Sequence, residues 1–449
     1  CDAPTGRAFL TDATEAQREF FWKLPTVALH YVLTGDKRSF DRTLEFMKVL
    51  LELEHWETTR EEDSGMGAAN VMVGAALAYD WTCKDLPPKF RLAFRRKLIL
   101  QAERMIANGH QKGCPGTHYW QNDPLNNHRF HRDAGLTLCV LAAHEGGADT
   151  EGLLRKTIEE LKFVHKWLPP DGTSHESPSY MPFGYQYLVM AFDAADRCLG
   201  TNLLGHRFFK NAALFRIHSL TPGLTNVFRY GDTGGGPGFY NNYVLKLCGE
   251  HKLADVQAAA MKAYEADNSF FEYGWFSLLW YDPSLKNGSI ENLPKSALYP
   301  DLGVVTLRDG WEADDVGMMF KSGPYGGYTM CKYLRRGGGD YVNVAHDDPD
   351  ANMFEIYTHG ATVAMDDGYA ERKLTSSHNT ILVDGKGQRG EGDEWTQPVS
   401  NMDDRGRIVT FVPESLAPGF EATGFESEGV LPGFYEGDED CVALGYYVD

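Results

Sequence analysis

The sequence predicts a multi-domain protein in which a helical region is followed by an all-β region. From about Thr14 to Tyr281, apolar residues recur at intervals of three and four, as is typical of amphipathic helices. After Ser284 the apolar runs become short and strand-like, and clusters of Gly, Asp and Asn separate them. A chain of 449 residues is also long for one compact core. We therefore expect one domain at residues 1–285 and a second at residues 286–449.

Each segment of the helical region carries one apolar stripe, and short links rich in turn residues separate the segments. The predicted helices are Thr14–Leu33, Ser39–His55, Met66–Trp81, Lys89–Asn108, Arg129–His144, Thr150–Trp167, Pro182–Leu199, His206–Leu220, Asn241–Cys248, Leu253–Ala266 and Phe271–Trp280. Antiparallel helices joined in this way build bundles, solenoids or closed toroids. The sequence shows no repeat of fixed period, which disfavours a consensus solenoid.

The C-terminal region contains short runs of β-formers. The predicted strands are Gly303–Leu307, Val316–Lys321, Tyr328–Tyr333, Thr380–Val383 and Ile408–Val412. Two further runs, Met353–Tyr357 and Ala361–Met365, alternate around His359-Gly360 and predict a β-hairpin with one buried face. The sequence starts at a cysteine without a signal peptide and stops within a β pattern, so we expect the natural chain to be longer at both ends, with the β domain truncated at its C-terminus.

Composition narrows the possible partners. With 43% hydrophobic and 24% charged residues, the chain resembles a soluble globular protein, and no apolar run predicts a membrane span. A net charge of −20 argues against nucleic acid as a partner. A polyanion would also be repelled unless a local cleft of Arg, Lys or His overrides this charge. The eight cysteines show no CxxC pair, which favours free thiols over a disulfide framework.

Acidic residues and histidines gather at the ends of the predicted hairpin. They are His346, Asp347, Asp348 and Asp350 before it, Asp366 and Asp367 after it, and His378 at the next apolar run. Folding these strands side by side brings the two ends and His378 together. Carboxylates and imidazoles suit a divalent cation such as Zn²⁺ or Mn²⁺. The alternative is a solvated acidic loop followed by a glycine turn.

Two stretches of the helical region carry side chains suited to carbohydrate. The loop Gly116–Arg132 contains Trp120, Gln121, Asn126, Asn127 and His128, where an aromatic face and amides suit a sugar ring and its hydroxyls. Its alternative role is to cap the helix predicted to begin near Arg129. The stretch Asp171–Tyr187 contains Glu176, Tyr180 and Tyr185 ahead of an amphipathic helix, where a tyrosine also suits a core or interface position.

Together these motifs resemble the heparinase II/III-like superfamily, which contains heparin and alginate lyases and dermatan sulfate epimerase. The resemblance lies in Asn127-His128, in Asp171-Gly172 with Glu176 and Tyr180, and in the β-region string of His346, Asp348, Asp366 and His378. The motifs occur in the order expected for the superfamily. The resemblance implies an (α/α) toroid, an incomplete barrel of antiparallel helix pairs, followed by an antiparallel β-sandwich.

The resemblance also implies roles for individual residues. Tyr180 corresponds to the catalytic acid and His346 to a substrate-facing histidine, while Asp348, Asp366 and His378 correspond to ligands of a structural metal ion, Zn²⁺ or Mn²⁺ with Ca²⁺ as a further option. Asp348 departs from the superfamily, which often has histidine there, and makes the site more anionic. The substrate-binding candidates are Trp120, Gln121, Asn126, Glu176, Tyr185, Arg229, Tyr230 and Arg335.

These residues suit β-elimination of a uronic-acid polymer. Asn127 and His346 are placed to stabilise the charge that develops on the uronate carboxylate when the C5 proton leaves. Tyr180 donates a proton to the departing O4 oxygen. The base is Tyr180 itself, if neighbouring cations such as Arg229 or Arg335 lower its pKa, or otherwise His128.

The function predicted from the sequence is thus a secreted, periplasmic or cell-surface polysaccharide lyase, a location inferred from the substrate class. Alginate is the preferred acidic polysaccharide because the Asn-His plus Tyr arrangement resembles the superfamily's alginate lyases and because the sequence has no dense Lys/Arg cluster for sulfate groups. The alternatives are a glycosaminoglycan lyase, acting on heparin, hyaluronan or chondroitin, and a uronosyl C5-epimerase. A non-catalytic glycan-binding protein and a hydrolase using Glu176 and Asp232 are further alternatives.

Overall fold

The structure is a computed structural model. It describes residues 12–57, 63–109, 120–234, 242–267, 274–335, 344, 346–388, 391–393, 407–410 and 443–445. The chain divides into two compact units. Unit 1 comprises Cys1–Lys166, Gly184–Leu204 and Glu272–Leu279, and unit 2 comprises Trp167–Phe183, Gly205–Phe271 and Trp280–Asp449. The predicted domain boundary between residues 285 and 286 stays a prediction.

Unit 1 is helical. Its elements are α1 (Ala13–Ala16), a π-helical segment (Gln17–Lys23), α2 (Leu24–Thr34), α3 (Lys37–Glu52), α4 (Met66–Thr82), α5 (Pro88–Asn108), α6 (Asn127–Ala143), nearly all of α7 (Ala148–Trp167), most of α8 (Tyr180–Leu199) and most of α12 (Gly274–Trp280). Helix α4 is buried along almost its whole length. A Cβ at Gly74 would clash with the backbone of Phe20, so this glycine lets the π-helical segment pack closely on α4.

Unit 2 contains the remaining helices and the sheets. The helices are α9 (Arg207–His218), α10 (Asn242–His251), α11 (Ala254–Asp267) and α13 (Gly327–Arg335). The strands are β1 (Ser296–Tyr299), β2 (Val304–Arg308), β3 (Gly317–Lys321), β4 (Met353–Thr358) and β5 (Ala361–Ala364), with the short strands β6 (Arg372–Lys373), β7 (Gly392–Asp393), β8 (Arg407–Thr410) and β9 (Ala443–Gly445). No helix in the described part of the chain is long and apolar enough to cross a membrane.

Strands β1 to β5 form one antiparallel sheet in chain order. The predicted hairpin is present as β4 and β5. Its turn residues His359 and Gly360 have φ values of 51° and 80°, which is the left-handed geometry that a two-residue hairpin turn requires. Val305 and Leu307 of β2 pack with Ile408 of β8 in an apolar cluster on one face of the sheet. Strand β6 pairs with β7, and β8 pairs with β9.

Two predicted strands are wrong. The run Tyr328–Tyr333 lies in helix α13, because Gly326 and Gly327 turn the backbone at φ values of 70° and 80° and the carboxylate of Asp301 accepts the Thr329 N–H at 3.0 Å. The run at 380–383 is not a strand but leads into a tight turn at Asp384 and Gly385. In both places a tertiary contact or a local turn overrides β propensity.

Candidate active site

His346 is held by a short turn that precedes α10 in the chain. The backbone N–H of Asp232 donates to the His346 carbonyl at 2.9 Å, and the His346 ring binds the Asp232 carboxylate through Nδ1 at 2.7 Å. Gly231 has a φ of 57°, and a Cβ there would clash with the His346 carbonyl. A glycine is therefore required for this close approach.

Tyr180 begins helix α8 and lies against His346. The Ser177 hydroxyl accepts the Tyr180 N–H at 3.2 Å and so caps the helix. The rings of Tyr180 and His346 stack with centroids 3.9 Å apart and an interplanar angle of 21°. Burial, followed by a hydrogen bond with Tyr369 and by the nearby charge of Asp232, raises the pKa of Tyr180 above its ordinary value. Tyr180 is therefore a neutral phenol, suited to donating a proton rather than abstracting one.

Lys373 joins this pair to the acidic residues that follow His346. Its ammonium donates to Asp232 Oδ1 and lies 3.1 Å from Asp348 Oδ1. The side chains of Lys373 and Asp232 are fully buried. Neither Lys373 nor Tyr369 was predicted from the sequence. The charged run around Lys373 is typical of a solvated loop. Its apolar neighbour Leu374 is the one sequence signal that could have indicated burial of Lys373.

The predicted metal ligands are brought together. Asp348, Asp366 and His378 offer ligand atoms that all lie within 4.8 Å of one another. Asp366 is fully buried whereas the adjacent Asp367 is exposed, so the structure selects Asp366 of the two. His378 Nδ1 lies 2.5 Å from Asp366 Oδ2. The buried atoms Asp348 Oδ2 and His378 Nε2 have no hydrogen-bond partner, and unpaired buried polar atoms of this kind are those that a bound ion satisfies.

The neighbouring acids have a different role. Lys321 donates to Asp347 Oδ1 at 3.0 Å and also to Asp350, and the Gly326 N–H donates to Asp347 Oδ2 at 2.7 Å. All three side chains are almost fully buried. These ion pairs hold the loop after His346 against strand β3. Asp347 and Asp350 therefore stabilise the loop, whereas Asp348 is a candidate metal ligand.

The buried carboxylates of the cluster shift the pKa values of Asp348 and His378 upwards. Burial raises the pKa of Asp348 to about 7, against the opposing effect of Lys373. Burial lowers the pKa of His378, but the hydrogen bond and charge of Asp366, with Asp350 and Asp348, outweigh it and raise that pKa to about 9. Without an ion, protons on Asp348 and His378 would partly neutralise the buried carboxylates. The donor set and its unpaired atoms therefore fit a divalent cation.

The predicted residues of the loop before α6 lie in unit 1. Asn126 is the N-cap of α6 and accepts the His128 N–H at 2.8 Å, so the capping alternative holds for Asn126. Asn127 is the first residue of the helix and is buried, and His128 beside it is half-buried. Trp120 and Gln121 are buried, and their carbonyl oxygens accept from Arg129 at 3.2 and 2.7 Å.

The other substrate-binding candidates are distributed over both units. Tyr185 is buried in unit 1 against Phe130. In unit 2, Glu176 is buried, Arg229 is half-buried and donates its N–H to Glu355 at 2.6 Å, and Tyr230 is buried with its hydroxyl on the Ser174 carbonyl at 2.6 Å. Arg335 is exposed at the end of α13. Their substrate-binding roles stay predictions.

Comparison with known proteins shows the fold. No family model matches the chain, and no curated protein matches it. Among solved structures, heparinase III is similar with 14% identity and a TM-score of 0.50, over 85% of this chain and 57% of that one. A heparan sulfate lyase from Pedobacter heparinus is similar with 17% identity and a TM-score of 0.49, over 83% of this chain and 54% of that one.

The chain thus spans a little more than half the length of the solved structures it matches. At such low identity the likeness to heparinase III establishes the fold and not the activity. The fold class predicted from the sequence, an (α/α) toroid followed by an antiparallel β-sandwich, is confirmed.

Proposed function

We propose that the protein is a polysaccharide lyase that cleaves a glycosaminoglycan by β-elimination at a uronic acid. The observation that carries this proposal is the stacked pair of Tyr180 and His346, with the His346 ring bound by a buried carboxylate. The stack places a neutral phenol, at the first residue of α8, against the imidazole that Asp232 holds. A lyase needs such a phenol, because the leaving O4 oxygen must be protonated as the bond breaks.

The reaction breaks the C5–H and C4–O4 bonds and forms the C4–C5 double bond and an O4–H bond. A base removes the C5 proton, the electron pair forms the C4–C5 double bond, and the C4–O4 bond breaks while Tyr180 gives its proton to O4. His346 acts on the uronate carboxylate and stabilises the charge that develops there. The high pKa of Tyr180 makes its phenolate a costly base, which favours a separate base. The sequence motif Asn127-His128 offers His128 for that role, with Asn127 as a second contact to the carboxylate.

Glycosaminoglycans replace alginate as the preferred substrate class. Heparinase III, a solved structure to which the chain is similar, is named for its substrate. Alginate was preferred from the sequence because the Asn-His and Tyr motifs resemble those of alginate lyases and because the sequence has no dense Lys/Arg cluster. Alginate stays the alternative substrate. An extracellular or periplasmic site of action follows from either polymer.

The metal centre is part of the proposal. Asp348, Asp366 and His378 hold one divalent ion, Zn²⁺ or Mn²⁺ with Ca²⁺ as a further option. The ion neutralises buried carboxylates and fixes the loop that bears His346, which lies two residues before Asp348 in the chain. The proton transfers themselves are carried out by side chains of the protein.

A panel of polymers tests the activity. The protein is incubated with heparan sulfate, heparin, hyaluronan, chondroitin and alginate, and the ultraviolet absorbance of the 4,5-unsaturated end is followed. Product from a glycosaminoglycan supports the proposal, and product from alginate alone restores the first substrate preference. Absence of the unsaturated end on every polymer, with exchange of the C5 hydrogen for solvent deuterium, would instead establish an epimerase.

A further inference from the structure

Asp232 contacts His346 in a way that an ordinary buried ion pair would not need. Its Oδ2 accepts from the His346 ring at 2.7 Å, while its Oδ1 accepts from Lys373 and from the Ala370 N–H at 3.3 Å. Its own backbone N–H donates to the carbonyl of the same histidine at 2.9 Å. Asp232 therefore holds both the backbone and the ring of His346.

The hydrogen bond determines which ring nitrogen carries the proton. A carboxylate only accepts, so the His346 ring bonded to Asp232 carries a proton on Nδ1, and a contact with the uronate carboxylate is made through Nε2, which donates when it also carries a proton. The stacked ring of Tyr180 at 3.9 Å restrains rotation of the imidazole on one face. Together the carboxylate and the phenol fix the plane and the tautomer of the histidine.

Lys373 completes the arrangement. Its buried ammonium lies between Asp232 and Asp348, so it neutralises the carboxylate that holds His346 and connects it to a metal-ligand candidate. An unpaired carboxylate buried at 0% exposure would be costly, and the lysine offsets that cost. The contact of Asp232 with His346 thus depends on a cation that strand β6 supplies.

We propose that Asp232 is the positioning residue for His346 and that Lys373 holds Asp232 in place. The inference rests on the proposed function for its catalytic consequence, since His346 acts on substrate only if the protein is a lyase. Both carboxylate oxygens of Asp232 are engaged within the protein, which disfavours its use as a carboxylate of a hydrolase pair.

The test compares Asp232→Asn with Asp301→Asn. Asp301 is a second buried carboxylate of unit 2, and it binds the backbone and hydroxyl of Thr329 at 3.0 and 2.6 Å. Asp232→Asn should lower kcat by up to about 10²- to 10³-fold with KM nearly unchanged, because the charge that His346 stabilises develops only in the transition state. Asp301→Asn should leave kcat near that of the parent.

The second readout is the ring of His346 itself. With ¹⁵N-histidine labelling, the His346 signals are identified by their loss in His346→Gln. The parent should show a proton on Nδ1, and Asp232→Asn should shift the ring to a mixture of tautomers or to the Nε2 form. An unchanged tautomer together with kcat within about threefold of the parent, roughly 0.7 kcal/mol of barrier, would overturn the proposal.

Two further variants cover the risk that Asp232→Asn fails to fold. The double variant Asp232→Asn/Lys373→Met removes both charges and leaves no unpaired ammonium. It should show the same loss of kcat as Asp232→Asn and the same loss of the proton from His346 Nδ1. Lys373→Met alone should lower kcat at least about tenfold, and no change in kcat or tautomer would overturn the role of Lys373. If the parent forms no unsaturated product, the proposed function fails, and the tautomer comparison still decides whether Asp232 positions His346.

Discussion

Changing Asp366 to Asn should remove the proposed metal ion, whereas changing the adjacent Asp367 to Asn should not. Asp366 is fully buried and lies 2.5 Å from His378 Nδ1, while Asp367 is exposed. The amide keeps the shape of the side chain and an oxygen to accept the Gly368 N–H, which binds Asp366 at 2.9 Å. The two variants therefore differ in charge at the site and in little else.

The magnitude follows from the separation of the ligands. Oxygen atoms of Asp348 and Asp366 lie within 4.8 Å. At that distance two unit charges repel by about 3.5 kcal/mol for an effective dielectric constant of about 20. Protonation of His378, whose pKa is raised to about 9 in the absence of an ion, relieves part of this repulsion. Removing the ion from the parent protein should therefore cost about 1–3 kcal/mol, or about 1–6 °C in melting temperature.

Elemental analysis and thermal unfolding measure the two effects. The parent and Asp367→Asn should contain one ion per chain and should melt at lower temperature in chelator, with recovery on addition of Zn²⁺ or Mn²⁺. Asp366→Asn should contain little metal and should be indifferent to chelator. Equal metal content in both variants, or a parent that contains no metal and is unaffected by chelator, would refute the reasoning.

Three other predictions concern single residues. Tyr180→Phe should abolish turnover with little loss of stability, and activity within about tenfold of the parent, roughly 1.4 kcal/mol of barrier, would refute Tyr180 as the acid. His128→Ala should lower kcat by about 10²- to 10⁴-fold if His128 is the base, because the raised pKa of Tyr180 makes it a poor substitute, and kcat within about tenfold of the parent would refute that role. Burial lowers the pKa of His218 from 6.5 to about 3, so its contribution to stability is complete above pH 6.5 and is lost as pH falls towards 3, by about 1.4 kcal/mol per pH unit. Between about pH 3 and pH 6.5, the slope of the unfolding free energy against pH should be smaller in His218→Gln than in the parent, by up to the 1.4 kcal/mol per pH unit that one proton contributes. An unchanged slope would contradict this assignment.

The sequence by itself determined the order of the elements and the hairpin. Helical periodicity and turn residues are local properties, so α4 and α5 were predicted to within one residue at each end. The alternation around His359-Gly360 likewise predicted β4 and β5. The local pattern gave a wrong prediction where a residue distant in sequence acts. In α13, which was predicted to be a strand, the Asp301 carboxylate accepts the Thr329 N–H in the first turn of the helix.

The acidic residues and histidines were recognisable from their position at strand ends, but their separate roles were decided by tertiary structure. Asp366 and Asp367 are adjacent and alike in sequence, and only the fold buries one and exposes the other. The same holds for Asp347 and Asp348, of which the first binds Lys321 and the second lies with His378.

The contacts that orient His346 could not be predicted from sequence spacing. Asp232 lies 114 residues before His346 and 141 residues before Lys373, so no periodicity connects the three. Lys373 and Tyr369 belong to a polar run that meets the turn after Gly231 only when unit 2 is folded. The Lys373 ammonium is then buried on Asp232, and the N–H of the exposed Tyr369 donates to the Thr233 carbonyl at 3.3 Å. Residue types and local order are properties of the sequence, whereas the partner of each buried charge is a property of the packed structure.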